Sequence, residues 1–190
     1  IVVCYLEYAV YMVDNELVQW FAMRATFGRN MKVKHILDSK SIESFIPMKY
    51  VIQRRSMISK RELVPVVKDL IFVHASKNDI QTVKDDIDFF QYITRPASDG
   101  TNKVIVVPDY QMQEFIMVSK TNSEKLIYFM PNEIDFVKGD MVRIHGGVFD
   151  GRVAVLSKIK GKRKKHLIIE IEGSLSIAVE QESGTFFEKI

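Results

Sequence analysis

Cysteine is almost absent from this 190-residue chain, in which Cys4 is the sole example. A single thiol cannot form an internal disulfide or supply a thiolate zinc site, so both are excluded, and such usage is typical of the reducing cytoplasm. The four histidines share no ligand spacing, so we interpret His35, His74, His145 and His166 as ordinary surface or half-buried side chains. We therefore expect a cytoplasmic protein with no metal site and no cofactor.

Signatures of catalysis are lacking as well. Gly146-Gly147 is not followed by the lysine and helix of a phosphate-binding loop. Asp85, Asp86 and Asp88 lack the glycine and the distal glutamate that complete an EF-hand, so we interpret them as a solvated helix end. No nucleophile stands out beside a base. The chain is therefore predicted not to be an enzyme.

An excess of charge of one sign is missing too, since the formal net charge is only +3. Nucleic-acid binding over the whole surface is thereby excluded, and any such contact must come from local basic clusters. One cluster, around a predicted hairpin tip, consists of Arg54, Arg55, Lys60 and Arg61, and a second lies at residues 158–165. Each cluster is interpreted equally well as a phosphate-binding site or as a solvated loop.

Long apolar runs are scarce. Residues 1–13 are mostly apolar but contain Glu7 and are too short to cross a bilayer as a helix, so no membrane partner is expected. The sequence predicts that residues 1–19 form an N-terminal extension. Because Met12 lies shortly before the first predicted strand, one hypothesis is that translation starts there and that the preceding residues are read-through. An added strand or helix is the alternative.

What the sequence does contain is a run of closely spaced glycines between residues 136 and 156. Lys138-Gly139-Asp140 predicts a turn, because glycine accepts positive φ without steric cost and aspartate can hydrogen-bond its own backbone. A strand follows, and Gly146-Gly147 ends it. Phe149 then serves as a large apolar anchor between glycine turns, before a second strand. This order predicts a tightly bent, barrel-like strand pair.

The run resembles the KOW module, whose pattern is Gly-Asp, a Val-Arg-Ile strand, a Gly-Pro-Phe bend and a further glycine. The matching residues are Gly139, Asp140, Arg143, Gly146, Gly147, Phe149 and Gly151. Val148 stands where the family often has proline, and Ala154 where it often has a third glycine. The resemblance implies a small β-barrel. The same unit occurs in ribosomal proteins and elongation factors, and a generic five-stranded barrel is the remaining alternative.

Upstream, the chain shows alternating strands and amphipathic helices. An alternating pattern begins at Trp20, which we interpret as a core residue. The continuous apolar run at residues 70–73 is typical of a central strand. Three helices are predicted from apolar residues at helical spacing. The first is marked by Val33, Ile36 and Leu37. The second, after Ser76, is marked by Ile80, Val83 and Ile87, and the third, after Asp109, by Met112, Phe115 and Ile116.

The order of these features resembles the N-terminal domain of NusG proteins. The resemblance rests on the aromatic strand at Trp20, Thr-x-Gly-Arg from Thr26, Phe-x-Pro from Phe45, the basic hairpin and the strand at residues 70–73. With the KOW module it extends to about Glu180. It implies an α+β fold: an antiparallel sheet flanked by helices in a NusG N-terminal (NGN) domain at residues 20–131, a linker at 132–138, and a KOW β-barrel at 139–190.

Residues 65–73 depart from the housekeeping NusG pattern and look like the UpxY-type paralogues, as do Thr94-Arg95-Pro96, Val106-Val107-Pro108-Asp109 and Leu126-Ile127-Tyr128-Phe129. Such paralogues act as antiterminators at capsular polysaccharide operons. The resemblance therefore implies a transcription elongation or antitermination factor that suppresses pausing or termination. A general NusG-type elongation factor and a KOW-bearing ribosome-associated protein are the alternatives.

The resemblance also implies partners. The NGN domain would dock on the clamp of RNA polymerase through an apolar surface, and the residues that match are Phe21, Val66, Val67, Leu70 and Phe72. Because a strand alternates its faces, only one of the pairs Leu70/Phe72 and Ile71/Val73 can line such a surface. The basic hairpin would touch the non-template strand or the upstream duplex of DNA. The KOW domain would bind a ribosomal protein or Rho, and a monomer is expected.

Overall fold

The computed structural model describes residues 15–55, 58–121, 126–129, 136–146, 149–159, 165–171, 174–180 and 186–190. These residues form two compact units. Unit 1 lies within residues 1–46 and 67–109, and unit 2 lies within residues 47–66 and 110–190.

The helices are α1 (Asn30–Ser39), α2 (Lys77–Asp86) and α3 (Asp109–Lys120), and a 3-10 turn covers Thr26–Gly28. The strands are β1 (Gln19–Ala25), β2 (Glu43–Phe45), β3 (Met48–Arg55), β4 (Ile58–Pro65), β5 (Leu70–Ala75), β6 (Phe90–Tyr92), β7 (Thr94–Pro96), β8 (Asn102–Val104), β9 (Val106–Val107), β10 (Leu126–Phe129), β11 (Phe136–His145), β12 (Val153–Ile159), β13 (Lys165–Ile171), β14 (Leu175–Glu180) and β15 (Phe186–Lys189). The described chain is thus a mixture of antiparallel sheets with few helices, as predicted.

Unit 1 is built around β1, which pairs antiparallel with β5, β6 and β9. The sheet order is β2-β5-β1-β6, with β9 added to β1. Apolar residues on both faces of β1 and β5 are buried, and Trp20 is only 4% exposed, which confirms it as a core residue. His74 stacks on the Trp20 ring at 4.9 Å between centroids and bonds Glu43 Oε2 through Nδ1 at 3.1 Å.

The helices of unit 1 follow the predicted periodicity. α1 packs on β1, β2 and β5 and buries Val33 and Leu37. α2 begins where predicted because Ser76 forms a capping box, in which its hydroxyl accepts from the Asp79 N–H at 3.1 Å. It buries Ile80 and Val83. The apolar spacing therefore located the core-facing side of both helices correctly.

Unit 2 contains a six-stranded antiparallel sheet in the order β10-β14-β13-β12-β11-β15. In the described part of the chain, β10 and β15 are its two edges and do not pair with each other, so the predicted closed KOW barrel is not observed. β10 precedes the predicted linker and pairs with β14, and β11 begins at Phe136, within the predicted linker. His166, interpreted from the sequence as a surface or half-buried side chain, instead lies in β13 and is buried at 2% exposure.

The predicted turn at Lys138-Gly139-Asp140 is wrong, because these residues lie inside β11. The pairing of β11 with β12 shifts register between Val137 and Asp140, which is typical of a bulge. A Cβ on Gly139 would overlap the Leu156 carbonyl group and the Ser157 hydroxyl of β12. Glycine is required here because two strands approach closely, and not because the chain turns.

Candidate functional surfaces

The five residues predicted to dock on polymerase differ sharply in exposure. Phe21 and Phe72 are 0% exposed and Leu70 is 3% exposed, because β1 and β5 are paired strands covered on both faces. Ile71 and Val73 are also buried, so neither side of β5 presents the open surface that strand alternation predicted. Direct contact requires exposed atoms. Of the predicted residues, Val66 and Val67, which are partly exposed, provide them in this fold.

The loop that precedes β5 is held by hydrogen bonds from the segment between the end of β1 and the start of α1. The Asn30 side chain, only 1% exposed, donates through Nδ2 to the carbonyls of Val67 and Leu70, both at 3.2 Å. The Gly28 N–H donates to Asp69 Oδ1 at 2.8 Å, and the Ala25 N–H donates to the Asp69 carbonyl at 2.7 Å. Because these bonds fix its backbone, the loop is preorganised.

The corner before α1 presents an aromatic and cationic cluster. Phe27 is 84% exposed and adopts a left-handed φ of 62°, which is uncommon for a bulky residue. The Arg29 guanidinium lies 5.3 Å from the Phe27 ring centroid and 4.6 Å from that of Phe89, and Lys32 Nζ lies 5.5 Å from the Phe89 centroid. Sequence reasoning did not predict this cluster, because Phe89 joins Phe27 and Arg29 only through the fold.

The predicted basic hairpin is confirmed as a two-stranded antiparallel ribbon, β3–β4. Its register pairs Gln53 with Lys60 and Ile52 with Arg61, so the four predicted basic residues gather toward one end of the ribbon. The strands contain five basic residues, Lys49, Arg54, Arg55, Lys60 and Arg61, and one acidic residue, Glu62. Their net charge of +4 exceeds that of the whole chain, +3, so the remaining residues sum to −1. The second basic cluster lies largely at residues 160–164, outside the described residues.

The KOW-motif residues surround the end of β11. Gly146 and Gly151 have φ values of 84° and 76°, as expected for glycine turns. The Gly146 N–H donates to Asp150 Oδ1 and the Gly151 N–H to the Ile144 carbonyl, both at 2.7 Å. Phe149 is 9% exposed, in agreement with its predicted anchoring role.

The other KOW-motif positions are more dispersed. Asp140 Oδ1 and Lys189 Nζ form an ion pair at 2.7 Å, which connects β11 to β15. Arg143 is exposed on β11, and Gly147, like Val148, lies outside the described residues. The motif therefore accounts for a strand end and its loop.

Three groups in the described residues have shifted pKa values, each with a local cause. Burial raises the pKa of Tyr92 to about 12. Burial also raises the pKa of Tyr128, against the lowering effect of a hydrogen bond with Ser119. Hydrogen bonds from Thr101 lower the pKa of Asp99 in an exposed turn. Each shift reflects packing or a turn hydrogen bond.

Among the residues that the structure describes, no three His, Cys, Asp or Glu side chains are grouped so that they could hold a metal ion. None of their helices has the length and apolar character needed to span a membrane.

Comparison with known proteins gives a family. No curated protein matches the sequence. A solved structure described as "Domain interaction in Thermotoga maritima NusG" is similar, with 18% identity, a TM-score of 0.41, and coverage of 92% of this chain and 98% of that one. The family model described as "Transcription termination factor nusG" matches residues 18–116, which are 99 of the 190 residues and include the sheet of unit 1 and the β3–β4 ribbon. The chain belongs to the NusG family of transcription factors, a family of non-enzymatic proteins.

Proposed function

We propose that this protein is a UpxY-type antitermination factor that binds the clamp of RNA polymerase and suppresses pausing or termination at polysaccharide biosynthesis operons. The observation that carries the proposal is NusG family membership over residues 18–116. Catalysis is not needed, because a differential affinity worth about 1.4 kcal/mol changes the ratio of active to paused polymerase tenfold. We further propose that the protein acts as a monomer in the cytoplasm.

The proposed clamp contact is centred on the loop before β5. Val66 and Val67 are its partly exposed apolar residues, and the bonds from Asn30 and Ala25 hold the neighbouring backbone. Phe21, Leu70 and Phe72 would support this contact from the core without touching the polymerase. A preorganised apolar loop suits docking, because little conformational entropy is lost when it binds.

Replacing Val67 by glutamate is expected to weaken polymerase binding at least about tenfold, since it places a charge in an apolar contact. Affinity for purified polymerase, measured by biolayer interferometry, checks this. Val106→Glu is the matched control, because Val106 is an exposed valine of the same unit, at 43% exposure. Equal affinity of the Val67 variant and the unsubstituted protein, with both folded, would contradict the clamp contact.

We propose that the β3–β4 ribbon contacts the upstream duplex or the non-template strand of the DNA. Its net charge of +4 in a chain of +3 supports this assignment, because electrostatic attraction to phosphates then concentrates on one element. Phosphate contacts of this kind position a protein without reading sequence.

The double substitution Arg54→Ala/Arg55→Ala is expected to weaken recruitment to DNA-bearing elongation complexes. If each arginine neutralises one phosphate, the slope of log K against log salt concentration falls by about 1.8 for duplex DNA. Recruitment measured across a salt series checks this. Lys34→Ala/Lys40→Ala, which removes the same charge from exposed ion pairs in unit 1, should leave the slope unchanged. An unaltered slope for the arginine variant would remove these residues from the contact.

Two other functions remain as alternatives to the proposed one. A general NusG-type elongation factor would load at genes throughout the genome, whereas the specialised factor loads at particular operons. The unusual segment at residues 65–73 and Thr94-Arg95-Pro96 favour the specialised type. A ribosome-associated protein would sediment with ribosomes after polymerase is removed. The C-terminal sheet, which carries the KOW-motif residues, is proposed to bind a ribosomal protein or Rho.

A further inference from the structure

The β3–β4 ribbon has one face that is unusually apolar for an exposed, highly charged element. Tyr50 and Leu63 are directly opposite each other, and Ile52 is opposite Arg61. Residues two apart on a strand share a face, as do directly opposed residues, so these four side chains form one continuous patch. Tyr50, Ile52 and Leu63 are 42%, 67% and 40% exposed. We name Tyr50, Ile52, Arg61 and Leu63 the ribbon face.

Arg61 is held in place on this face. Its guanidinium carbon lies 4.0 Å from the centroid of the Tyr50 ring, a cation–π arrangement that holds the guanidinium over that ring. A guanidinium has five N–H donors in a rigid fork, which suits bidentate recognition of an acceptor pair. The ribbon face therefore combines a guanidinium held over an aromatic ring with adjacent aliphatic groups.

We propose that the ribbon face binds duplex DNA in the major groove, with Arg61 donating to base-edge acceptors and Ile52 contacting thymine methyl groups. This inference rests on the proposed function and specifies the form of nucleic acid and the residues that touch it. The +4 charge of the two strands provides the complementarity to DNA phosphates. Exposed apolar groups next to that charge suit a partner with both phosphates and apolar surface, and the major groove has both.

The dimensions of the β3–β4 ribbon fit the major groove of duplex DNA. The eight-residue strands of the ribbon span about 27 Å at roughly 3.4 Å per residue. The major groove is about 12 Å wide and admits a two-stranded ribbon. A single strand would instead require several aromatic platforms for base stacking. Among its described side chains the ribbon face offers one aromatic ring, that of Tyr50, and Arg61 already covers one side of it.

The experiment uses the full chain and a fluorescently labelled 20-base-pair duplex rich in A·T pairs, with binding followed by anisotropy. A second duplex replaces every thymine by deoxyuridine, which removes only the methyl group in the major groove. Ile52→Ser is expected to weaken binding to the thymine duplex roughly fivefold and to leave the deoxyuridine duplex nearly unaffected. Arg61→Lys, which keeps the charge but loses the planar fork, should weaken binding to both duplexes.

Met141→Ser is the matched control, because Met141 is an exposed apolar residue of unit 2 outside the ribbon, at 53% exposure. Circular dichroism verifies that each variant is folded. If Ile52→Ser alters the affinity for neither duplex while Arg54→Ala/Arg55→Ala lowers the affinity for both, charge alone holds the DNA. That result overturns the groove proposal and leaves the proposed function standing. Tighter binding to the single strand, lost in Tyr50→Ala, also overturns it. No binding to any nucleic acid at low salt rejects the DNA contact as a whole, whereas polymerase affinity is measured separately.

Discussion

Replacing Gly139 by alanine is expected to destabilise the C-terminal sheet by about 3 kcal/mol, because the added Cβ meets rigid backbone. That atom would lie 2.6 Å from the Leu156 carbonyl carbon and closer still to its oxygen. Leu156 is the partner of Asp140 in the β11–β12 pairing, so relief of the overlap requires these strands to separate. Hydrogen exchange of amides in β11 and β12 measures the loss.

Gly151→Ala is the matched control for this prediction. Gly151 lies in the loop of the same strand pair with a φ of 76°, but nothing lies within 4 Å of an added Cβ. The cost should therefore be only the left-handed backbone penalty, about 1–2 kcal/mol. Trp20, the sole tryptophan, lies in unit 1, so its fluorescence serves as an internal reference for damage beyond the sheet. Equal destabilisation by the two substitutions would refute the close-approach explanation for Gly139.

The glycines of the KOW motif illustrate what a local pattern predicts and what it does not. Gly146 and Gly151 have the positive φ values that the turn pattern predicts, since turn chemistry depends on neighbouring residues. Gly139 was predicted to turn but lies within a strand. Its constraint comes from Leu156 and Ser157, whose position follows only from strand pairing. A local pattern can therefore identify a required glycine and assign the wrong reason.

The residues predicted to dock on polymerase show the same limit of a local pattern. Strand alternation distinguishes the two faces of β5, but it does not reveal whether a second layer covers the exposed one. Phe72 and Ile71 lie on opposite faces and are both 0% exposed. The basic ribbon was easier to predict, because its charge, alternation and turn lie within one short segment of the chain. Its apolar face required the β3–β4 register, which the sequence does not specify directly.

Asn30 was not predicted at all, since its hydrogen-bond partners are 37 and 40 residues away. A buried amide that bonds two backbone carbonyls satisfies acceptors that would otherwise be costly to bury. The sequence offered only a polar residue at the start of a helix, where asparagine is common. Its position indicates that it shapes the loop carrying Val67.

Replacing Asn30 by leucine, which retains the volume but not the donors, is expected to destabilise unit 1 by about 2–4 kcal/mol. The carbonyls of Val67 and Leu70 each lose a 3.2 Å hydrogen bond. Urea unfolding followed by Trp20 fluorescence measures the change in free energy. If the loop forms the clamp contact, polymerase affinity should also fall under conditions where the variant remains folded. Asn78→Leu, at an exposed position of α2, is the control and should cost less than about 1 kcal/mol.

The substitution Asn30→Asp distinguishes a role of Asn30 as a hydrogen-bond donor from a role in packing alone. A carboxylate at this buried position would keep the 3.0 Å bond from the Met31 N–H on one oxygen, while its other oxygen would face two carbonyl oxygens. Burial and the two carbonyls are expected to outweigh that one bond, so the pKa is expected to be raised in the folded state. The destabilisation should then be complete above the raised pKa and diminish as the pH falls through it, because the protonated acid is neutral and donates one hydrogen bond. Unfolding measured at pH 7 and near pH 4 should show a smaller deficit relative to the unsubstituted protein at the lower pH. A deficit that does not change with pH would contradict the raised pKa. Because aspartate has nearly the same volume as asparagine, no deficit at either pH would mean that Asn30 acts through its volume, and not through its donors to the loop.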